Sequence, residues 1–481
     1  MGPVTIFDST LRDGAQGTGV AFSLEDKLQA VRLLDQVGVQ YVEAGNPGSN
    51  PKDAEFFQRA ASLPLKNAKL VSFGSTRRKN IPAWEDANLA AVLAAGTPVC
   101  CVFGKCWKFH VDRVLETTYE ENFRMIEESC RFLKSHGREV IFDAEHFFDG
   151  WKDDPAFALE ALRAALRGGA DIVCLCDTNG GAFPGDVERV VQEVAAKIPV
   201  PIGVHFHEDC GMATANSVTA VLAGASQVQG TLLGFGERCG NANLSTIIPN
   251  LQLKLGIPCI PQEELMHLTH RVRELASIAN MDLPAWMPYV GESAFAHKAG
   301  MHAAAVLKTP RSFEQVDPYL VGNVRRFPAS EMSGRAVVLE KIKHIFPHVG
   351  VDSQEARALL QELKELESKI LGAHERLIAL EHRLFSELLE TIGGQLDRIQ
   401  RTANAVAELD VLAALAQVAA ENNYCRPVVD DSDELTITEG RHPVVEQMLK
   451  GSLFVPNDTR LNCTTDRCLI ITGPNMAGKS T

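Results

Sequence analysis

Residues 4–17 read VTIFDSTLRDGAQG, an apolar run that ends in a cluster of carboxylates, hydroxyls and a guanidinium. A second apolar run, PIGVHFHED (201–209), ends with His205 and His207. Because alternate residues of a strand point to the same side, both imidazoles are expected on one face. A third element, GFGERCGNANL (234–244), follows the next strand-like run. We therefore predict that three strand ends are neighbours in space and that their polar side chains form one site.

Around these stretches, short apolar or β-branched runs alternate with longer amphipathic runs. The predicted strands cover residues 3–8, 40–44, 69–73, 98–103, 138–143, 171–176, 201–206 and 227–232. The predicted helices include residues 24–37, 118–135, 155–167 and 186–196. Eight strand–helix units over about 240 residues match an α/β fold of the (β/α)8 TIM-barrel type, whose active site lies in the loops after the strands. The alternative is a doubly wound open sheet, which would collect ligands at a single switch point.

Closure of the predicted ring gives a physical basis for a metal site. Polar residues follow the first six predicted strands, namely Asp13, Asn46, residues 75–78, Lys105, Glu145 with His146, and residues 177–179. In a closed ring the seventh, eighth and first strands are neighbours, so Asp13, His205, His207 and Asn241 would converge on one ion. Two imidazoles, a carboxylate and an amide oxygen suit Zn²⁺, Mn²⁺ or Mg²⁺ with open positions for a substrate. The alternative is that both histidines are ordinary polar lining of a barrel mouth.

The composition limits the class of protein. The chain has 481 residues, of which 45% are hydrophobic and 22% charged, as in a soluble globular protein of two or more domains. We see no apolar run close to the roughly 20 residues of a membrane span and no secretory signal, so a cytoplasmic protein is predicted. The net charge of −14 makes DNA an unexpected partner. The twelve cysteines are interpreted as reduced thiols, mostly structural, because no paired CxxC spacing indicates a zinc site.

A series of motifs extends across the predicted barrel and the segment after it. These are TLRDGAQG (10–17), GSNPKDAEFFQRA (48–60), FGSTRR (73–78), FGK (103–105), DAEHFFDG (143–150), LCDTNGG (175–181), HFHEDCG (205–211), GERCGNANL (236–244), NLQLKLG (250–256) and MPYVGESAFAHKAGMH (287–302). With them, residues 1 to about 360 resemble the citramalate synthase branch of the family that contains isopropylmalate and homocitrate synthases. The motifs GSNPKD and DAEHFFDG favour that branch over its relatives.

The resemblance implies condensation of acetyl-CoA with a 2-oxo acid, here pyruvate, followed by thioester hydrolysis. It implies that Asp13, His205, His207 and Asn241 hold the divalent metal, which polarises the ketone. The implied roles of the other residues are charge stabilisation by Arg12, hydrogen bonding of the substrate carboxylate by Thr178, and proton transfer by Glu145 and His302. Because the segment with His302 reaches the active site of a second subunit in relatives, a homodimer is expected.

Simpler interpretations of these residues stay open at this point. Arg12 and Asp13 could form a loop salt bridge, and Asp177 with Thr178 could cap a helix. A solvated loop explains Glu145 equally well when the motif is set aside. Within the resembled family, isopropylmalate or homocitrate synthesis is the second expectation, since these reactions differ only in the 2-oxo acid.

The character of the chain changes towards its end. Residues 353–397 carry apolar side chains three and four apart, which predicts long amphipathic helices or a coiled-coil pair. The motifs that follow are LKELESKILGAHERLIALEHRLFSELL (363–389), ANAVAELDVLAALA (403–416), ITEGRHPVVEQ (437–447) and LIITGPNMAGKST (469–481). They resemble the DNA mismatch repair ATPases of the MutS type. The alternative is a helical dimerisation domain.

The last motif fits the P-loop pattern G-x-x-x-x-G-K-[ST]. Its nucleotide-binding positions are Gly473, Gly478, Lys479 and Ser480, after a strand-like LIIT run. The sequence stops at Thr481, before the helix that completes a phosphate site, so we expect a truncated fusion without ATPase activity and at best weak ATP/Mg²⁺ binding. The expected parts are a TIM barrel (1–270), a post-barrel linker subdomain (271–362), a MutS-like helical segment (363–425) and a truncated, poorly packed ATPase start (426–481).

Overall fold

The computed structural model describes residues 2–328, 353–449 and 454–471. The chain divides into two compact units, residues 1–372 and residues 373–481. Each unit is described by itself.

The first unit is built around a closed ring of eight strands, β1 to β8, that follow one another in sequence order. Their bounds are Thr5–Asp8, Tyr41–Glu43, Lys69–Ser75, Val99–Lys105, Glu139–Glu145, Ile172–Asp177, Ile202–Phe206 and Gln227–Gly230. All neighbouring pairs are parallel, and β8 closes the ring on β1 with Thr5 opposite Gln227 and Asp8 opposite Gly230. The predicted (β/α)8 barrel is therefore confirmed, and the open sheet is excluded.

Helices separate the strands and continue beyond the ring. The α-helices described in residues 2–328 are Leu24–Val37, Pro51–Ala60, Ala87–Ala94, Lys108–His110, Tyr119–Ser135, Phe147–Asp153, Pro155–Arg167, Pro184–Ala195, Ala213–Leu222, Leu244–Pro249, Gln262–Leu265, Leu268–Ile278 and Gly300–Lys308. The predicted bounds 24–37 and 155–167 are confirmed. The helix predicted for 186–196 begins two residues earlier because Pro184, which lacks an N–H to satisfy, starts it.

Local signals explain the bounds of the first helix. Ser23 accepts a hydrogen bond from the backbone N–H of Asp26, and the Asp26 carboxylate accepts one from the Ser23 N–H. This capping box satisfies two donors that the first turn leaves free. The helix ends at Gly38, whose φ of 91° lies in the left-handed region that glycine adopts without steric cost.

Apolar side chains fill the barrel on both faces of the strands. Phe7, Tyr41, Val71, Phe73, Val99, Cys101, Ile141 and Ile172 form one cluster that is separate from the larger core under the helices. Cys100, Cys101, Cys174 and Cys176 are all buried in strands, as the sequence predicts. The inner cluster packs the middle of the ring, so the polar residues gather where the strands end.

The second unit contains long helices and a small sheet. Helix Gln354–Gly393 crosses the boundary between the units, and Leu396–Asn422 and Pro443–Met448 follow. Strands β9 (Leu435–Gly440) and β10 (Asn457–Leu461) form an antiparallel pair. The predicted long helices are therefore present. Their exposed apolar side chains include Phe385 and Leu409, which are 61% and 67% exposed.

The expectation of a strand before the P-loop is wrong for residues 469–471, the part of the run that the structure describes. Residues 469–471 lie outside every strand of the described chain, and Leu469 and Ile470 are 50% and 86% exposed. Among the described residues of this unit, β9 and β10 pair only with each other, so the run 469–471 has no neighbour there to supply ladder hydrogen bonds. The four P-loop positions Gly473, Gly478, Lys479 and Ser480 lie outside the described residues.

One helix qualifies the expectation about membranes. Leu396–Asn422 has 27 residues and contains an 18-residue window with a mean hydropathy of 1.4, so it is long and apolar enough to span a bilayer by length and composition alone. This helix is an exception to the expectation that no apolar run approaches the length of a membrane span. A single helix of this kind is weak support for a membrane protein, because core helices of soluble proteins pass the same test.

Candidate active site

A cavity of about 340 Å³ opens at the carboxyl end of the barrel. Every strand or the loop after it contributes lining residues, which include Arg12, Asp13, Asn46, Phe73, Phe103, Asp143, Glu145, Cys176, Thr178, His205, His207, Glu237 and Arg238. This is the end at which TIM barrels place their active sites. The polar strand ends identified from the sequence therefore meet around one space.

Four side chains from three neighbouring strands converge on one point of this cavity. The Nε2 atoms of His205 and His207 lie 3.2 Å apart, and they lie 3.7 and 4.0 Å from Oδ2 of Asp13. Nδ2 of Asn241 donates a hydrogen bond to Oδ1 of Asp13 at 2.9 Å. The ligand atoms of Asp13, His205 and His207 all lie within 4.8 Å of one another, which is the spacing of groups that share an ion.

The local backbone explains why these side chains meet. His205 belongs to β7, and His207 follows it by two residues, so both rings point the same way. His207 and Asn241 are joined by a β-bridge across the loops after β7 and β8. Gly236 lets the Asn241 amide approach, because a Cβ at this position would lie 2.0 Å from Nδ2 of Asn241.

The protonation states suit a cation. Burial lowers the pKa of His205 to about 3, with a further contribution from His207, and burial also lowers the pKa of His207. Burial alone would raise the pKa of Asp13, but the Arg12 guanidinium and the imidazoles outweigh it and hold this pKa below its usual range. Neutral imidazoles and an ionised carboxylate are the forms that bind metals.

One buried polar atom supports the same interpretation. Oδ1 of Asn241 is buried and has no hydrogen-bond partner within the described part of the chain. A buried unpaired amide oxygen is costly unless a ligand satisfies it. One carboxylate, two imidazoles and this oxygen therefore fit a divalent metal ion.

Arg12 is fixed beside this cluster by two carboxylates. Its Nε donates to Glu43 Oε2 at 2.6 Å, its Nη1 donates to Asp13 Oδ2 at 2.9 Å, and its guanidinium carbon lies 3.9 Å from the centre of the Phe73 ring. Burial alone would lower the pKa of Arg12, but Glu43 and Asp13 raise it. The guanidinium stays charged, and the loop salt bridge considered from the sequence is present within the cavity wall.

Sequence reasoning missed Glu43. Its side chain is fully buried, and Oε2 accepts hydrogen bonds from Arg12 Nε and from Ser9 Oγ at 2.5 Å. The available signal was a glutamate inside the apolar run Tyr41–Glu43, since a carboxylate in a buried strand needs a partner. Asp143 carries the same signal on β5 and was also missed as a cavity residue.

Thr178 and Glu145 also line the cavity, after β6 and at the end of β5. Oγ1 of Thr178 accepts a hydrogen bond from the backbone N–H of His146 at 2.9 Å. Glu145 forms an ion pair with Lys105. Thr178 and Glu145 are therefore each bound to a neighbouring residue. The structure brings both sequence-predicted residues to the cavity.

Arg238 closes the rim between the loops after β6, β7 and β8. Its Nη2 donates to the Thr178 carbonyl at 2.7 Å, and its guanidinium forms a two-point ion pair with Asp209. These contacts tie the loop that carries Asn241 to the loops that carry Thr178 and His207. The end of the cavity that contains His207 and Asn241 is therefore held by three loops.

The single chain does not bring His302 into the cavity. Its ring is exposed and stacks on Phe313 with 4.2 Å between ring centres. Nearby His297 is bound to Glu314, which also forms a two-point ion pair with Arg325. The expectation that His302 acts in a second subunit stays a prediction.

Comparisons with known proteins agree with this architecture. Residues 3–280 match the family described as HMGL-like, and residues 289–370 match the homocitrate synthase post-HMGL domain-like family. The chain is 52% identical to an (R)-citramalate synthase of Aquifex aeolicus over 367 residues, which are 76% of this chain and 70% of that protein. It is 39% identical to an (R)-citramalate synthase of Synechocystis over 482 residues, 97% of this chain and 87% of that protein.

More distant similarities extend to related proteins. A homocitrate synthase of Methanopyrus kandleri is 36% identical over 366 residues, 76% of this chain and 87% of that protein. The crystal structure of an HMG-CoA lyase of Bacillus subtilis superposes with a TM-score of 0.50 at 22% identity, covering 59% of this chain and 97% of that one. This last similarity bears on the fold alone.

Proposed function

The chain belongs to the HMGL-like family, and we propose that it is an (R)-citramalate synthase, an acyltransferase that condenses acetyl-CoA with pyruvate and releases CoA. The observation that carries the proposal is the convergence of Asp13, His205, His207 and Asn241 at the barrel mouth. Sequence identities of 39 to 52% with five (R)-citramalate synthases support the choice of substrates.

The four converging residues would hold a divalent metal ion, for which Mn²⁺, Mg²⁺ and Zn²⁺ are the candidates. Such an ion supplies Lewis-acid polarisation of the ketone of a 2-oxo acid. The protein keeps both imidazoles neutral by burial and Asp13 ionised through Arg12. The site is thereby prepared for a cation before the substrate arrives.

Arg12 is proposed to stabilise the negative charge that develops on the ketone oxygen. Glu43 and Asp13 occupy its Nε and Nη1, whereas Nη2 makes no hydrogen bond within the described residues. The free N–H groups sit on a guanidinium that cannot rotate away, so little reorganisation is needed during reaction. Glu43 is the positioning residue in this arrangement.

Thr178 is proposed to bind the substrate carboxylate. Because its Oγ1 already accepts a hydrogen bond from the His146 N–H, its hydroxyl proton is available to donate. The stacked rings of Phe73 and Phe103, with centres 5.3 Å apart, give the cavity an apolar wall suited to a small alkyl group. This wall would contact the methyl group of pyruvate.

Glu145 and His302 are proposed for the proton transfers. The methyl group of acetyl-CoA is a weak acid, so a positioned base is required to form its enolate. Glu145 lines the cavity and is oriented by Lys105. His302 would come from the second subunit of a homodimer, since His302 does not line the cavity of its own chain.

The decisive assay measures release of the CoA thiol from acetyl-CoA with pyruvate, 2-oxoisovalerate or 2-oxoglutarate after addition of Mn²⁺. We expect pyruvate to give the highest kcat/KM. A preference for 2-oxoisovalerate or 2-oxoglutarate would instead assign isopropylmalate or homocitrate synthesis. His207→Ala should abolish turnover and metal binding together, whereas His136→Ala, at an exposed position, should change neither.

For residues 363–481 we propose a MutS-like origin without ATPase activity, and for the whole chain a cytoplasmic location. The support for the absence of activity is the run 469–471, which has no strand neighbour in the described chain. Mg²⁺-dependent ATP hydrolysis that disappears in Lys479→Ala would contradict this proposal. The acidic net charge of −14 supports the view that DNA is not a partner.

A further inference from the structure

A second group of metal-binding side chains lies in the wall of the cavity. Single ligand atoms of Asp143, Cys174 and Cys176 all lie within 4.8 Å of one another, and the three residues are 4%, 0% and 5% exposed. Asp143 lies opposite Cys174 in the β5–β6 register. Cys174 and Cys176 are two residues apart on β6, so their thiols point to the same side. The barrel itself therefore brings the three groups together.

This group is open to the cavity on one side. Asp143 and Cys176 are cavity-lining residues, and Cys174 lies behind them. An ion that enters the cavity can therefore reach two of the ligands directly. Two sulfur atoms and one oxygen atom leave a fourth position free in a tetrahedral site.

Gln229 orients the Asp143 carboxylate, although burial raises the pKa of this group. Gln229 Nε2 donates to Oδ1 of Asp143 at 3.0 Å, which fixes the carboxylate as outer-sphere partners do in metal sites. Two thiolates, one carboxylate and a divalent cation sum to one negative charge. The positive charge of Arg12, which acts electrostatically on Asp143, reduces the cost of this negative charge.

A neighbouring group is less suited to bind an ion. Glu43, Cys101 and Asp143 are also within 4.8 Å of one another. Glu43, however, is engaged by Ser9 and Arg12 at 2.5 and 2.6 Å. The group of Glu43, Cys101 and Asp143 has one thiol instead of two, and the Glu43 carboxylate already accepts two hydrogen bonds. The group of Asp143, Cys174 and Cys176 is therefore the better candidate.

We propose that Asp143, Cys174 and Cys176 form a second metal site, which takes a thiophilic divalent cation such as Zn²⁺ or Cd²⁺. Its ligands differ in kind from the oxygen and imidazole set of Asp13, His205, His207 and Asn241, and soft thiolates select against Mg²⁺ and Mn²⁺. On binding, each thiol releases one proton to water in the cavity and forms one sulfur–metal bond. The proposal does not depend on which 2-oxo acid the protein uses.

The test is a titration of the full chain with CdCl₂, followed by the ultraviolet charge-transfer absorption of cadmium thiolates. The five exposed cysteines, Cys210, Cys239, Cys425, Cys463 and Cys468, are first replaced by Ala to remove background sites. Saturating Mn²⁺ occupies the imidazole site and gives no thiolate band. We expect a saturable band at one equivalent of Cd²⁺.

Substitutions made in this background assign the ligands. Cys174→Ser, Cys176→Ser and Asp143→Asn should each weaken Cd²⁺ binding more than tenfold. Cys130→Ser, which removes a buried thiol on helix Tyr119–Ser135, and His207→Ala should leave the band unchanged. Retained Mn²⁺ binding by Cys174→Ser, Cys176→Ser and Asp143→Asn shows that these variants fold.

Two results would overturn the proposal. One is the absence of a cadmium–thiolate band from the protein that lacks only the five exposed cysteines. This result can be interpreted without any ligand variant. The other is a band of full strength in Cys176→Ser with Mn²⁺ binding intact.

Discussion

Asn241 and Asp13 are 228 residues apart in the chain, yet Nδ2 of Asn241 donates a hydrogen bond to Oδ1 of Asp13 at 2.9 Å. This contact exists because β8 lies beside β1 and closes the ring. It fixes the Asp13 carboxylate so that Oδ2 faces the two imidazoles. The oxygen of the same amide is buried without a hydrogen-bond partner in the described residues, so in the proposed metal site Asn241 would orient one ligand and supply another.

Replacement of Asn241 by Ala should weaken metal binding. The variant loses an oxygen ligand and the hydrogen bond that orients Asp13, so we expect Mn²⁺ affinity to fall about 10- to 100-fold. Isothermal titration with Mn²⁺ measures the change. Asn67→Ala is a matched control, because Asn67 binds the Asp35 carbonyl before β3 begins, at the other end of the barrel. Equal affinities in both variants would contradict the role of Asn241.

Gly236→Ala should disturb the same contact without removing a polar group. The added Cβ would lie 2.0 Å from Asn241 Nδ2 and 3.2 Å from Asp13 Oδ1, so the amide has to move. We expect Mn²⁺ affinity to fall by at least about tenfold. Gly181→Ala is the control, since a Cβ there meets no atom within 4 Å. An unchanged Mn²⁺ dissociation constant in Gly236→Ala would show that Asn241 is not held as described.

Arg12→Lys should act mainly on kcat. A lysine cannot contact Glu43 and Asp13 in the fork that the guanidinium uses and still present an N–H to the cavity. We expect kcat to fall about 100-fold or more, the usual effect of losing a donor to developing charge. Arg189→Lys, on an exposed surface, should retain full activity.

Glu43→Gln separates positioning from charge stabilisation. The amide keeps the size of the side chain but loses the ion pair that holds Arg12. We expect kcat to fall while KM for acetyl-CoA stays unchanged. A change confined to KM would assign Glu43 to substrate binding instead.

Asp8 should make the stability of the barrel depend on pH. Burial raises the pKa of Asp8 to about 7, despite hydrogen bonds from Thr10. Between about pH 4, where the unfolded carboxyl titrates, and about pH 7, the folded state binds the extra proton, so the free energy of unfolding falls as pH rises. The slope attributable to Asp8 is at most about 1.4 kcal/mol per pH unit.

Urea unfolding at several pH values, followed by tryptophan fluorescence, measures this slope. All four tryptophans lie in residues 1–372, so the signal reports the barrel unit. Asp8→Asn should remove one proton's contribution to the slope, whereas Asp186→Asn, at an exposed position, should leave it unchanged. An equal slope in wild type and Asp8→Asn would contradict the predicted titration.

Mixing two inactive variants tests whether His302 acts across subunits. One subunit with His302→Ala and another with His207→Ala would form one intact site in each mixed dimer. Random pairing then predicts recovery of about a quarter of wild-type activity. No recovery in a mixture that sedimentation shows to be dimeric would mean that His302 does not serve the partner's site.

The sequence by itself determined the strands, their order and most of the polar residues at their ends. Strand and helix periodicities are local properties, so the bounds 24–37 and 155–167 could be read from caps and spacing. The His205–His207 spacing also defined a shared face, because alternation along a strand is fixed by its geometry. Motif resemblance then identified the family.

Only the tertiary structure decided which side chains touch. The pairing of Glu43 with Arg12 and the meeting of Asp143 with Cys174 and Cys176 depend on how strands line up around a closed ring. Likewise, His302 was expected near the chemistry, but a single chain leaves it exposed on Phe313. Contacts between residues far apart in the chain depend on ring closure and register, which local periodicity does not encode.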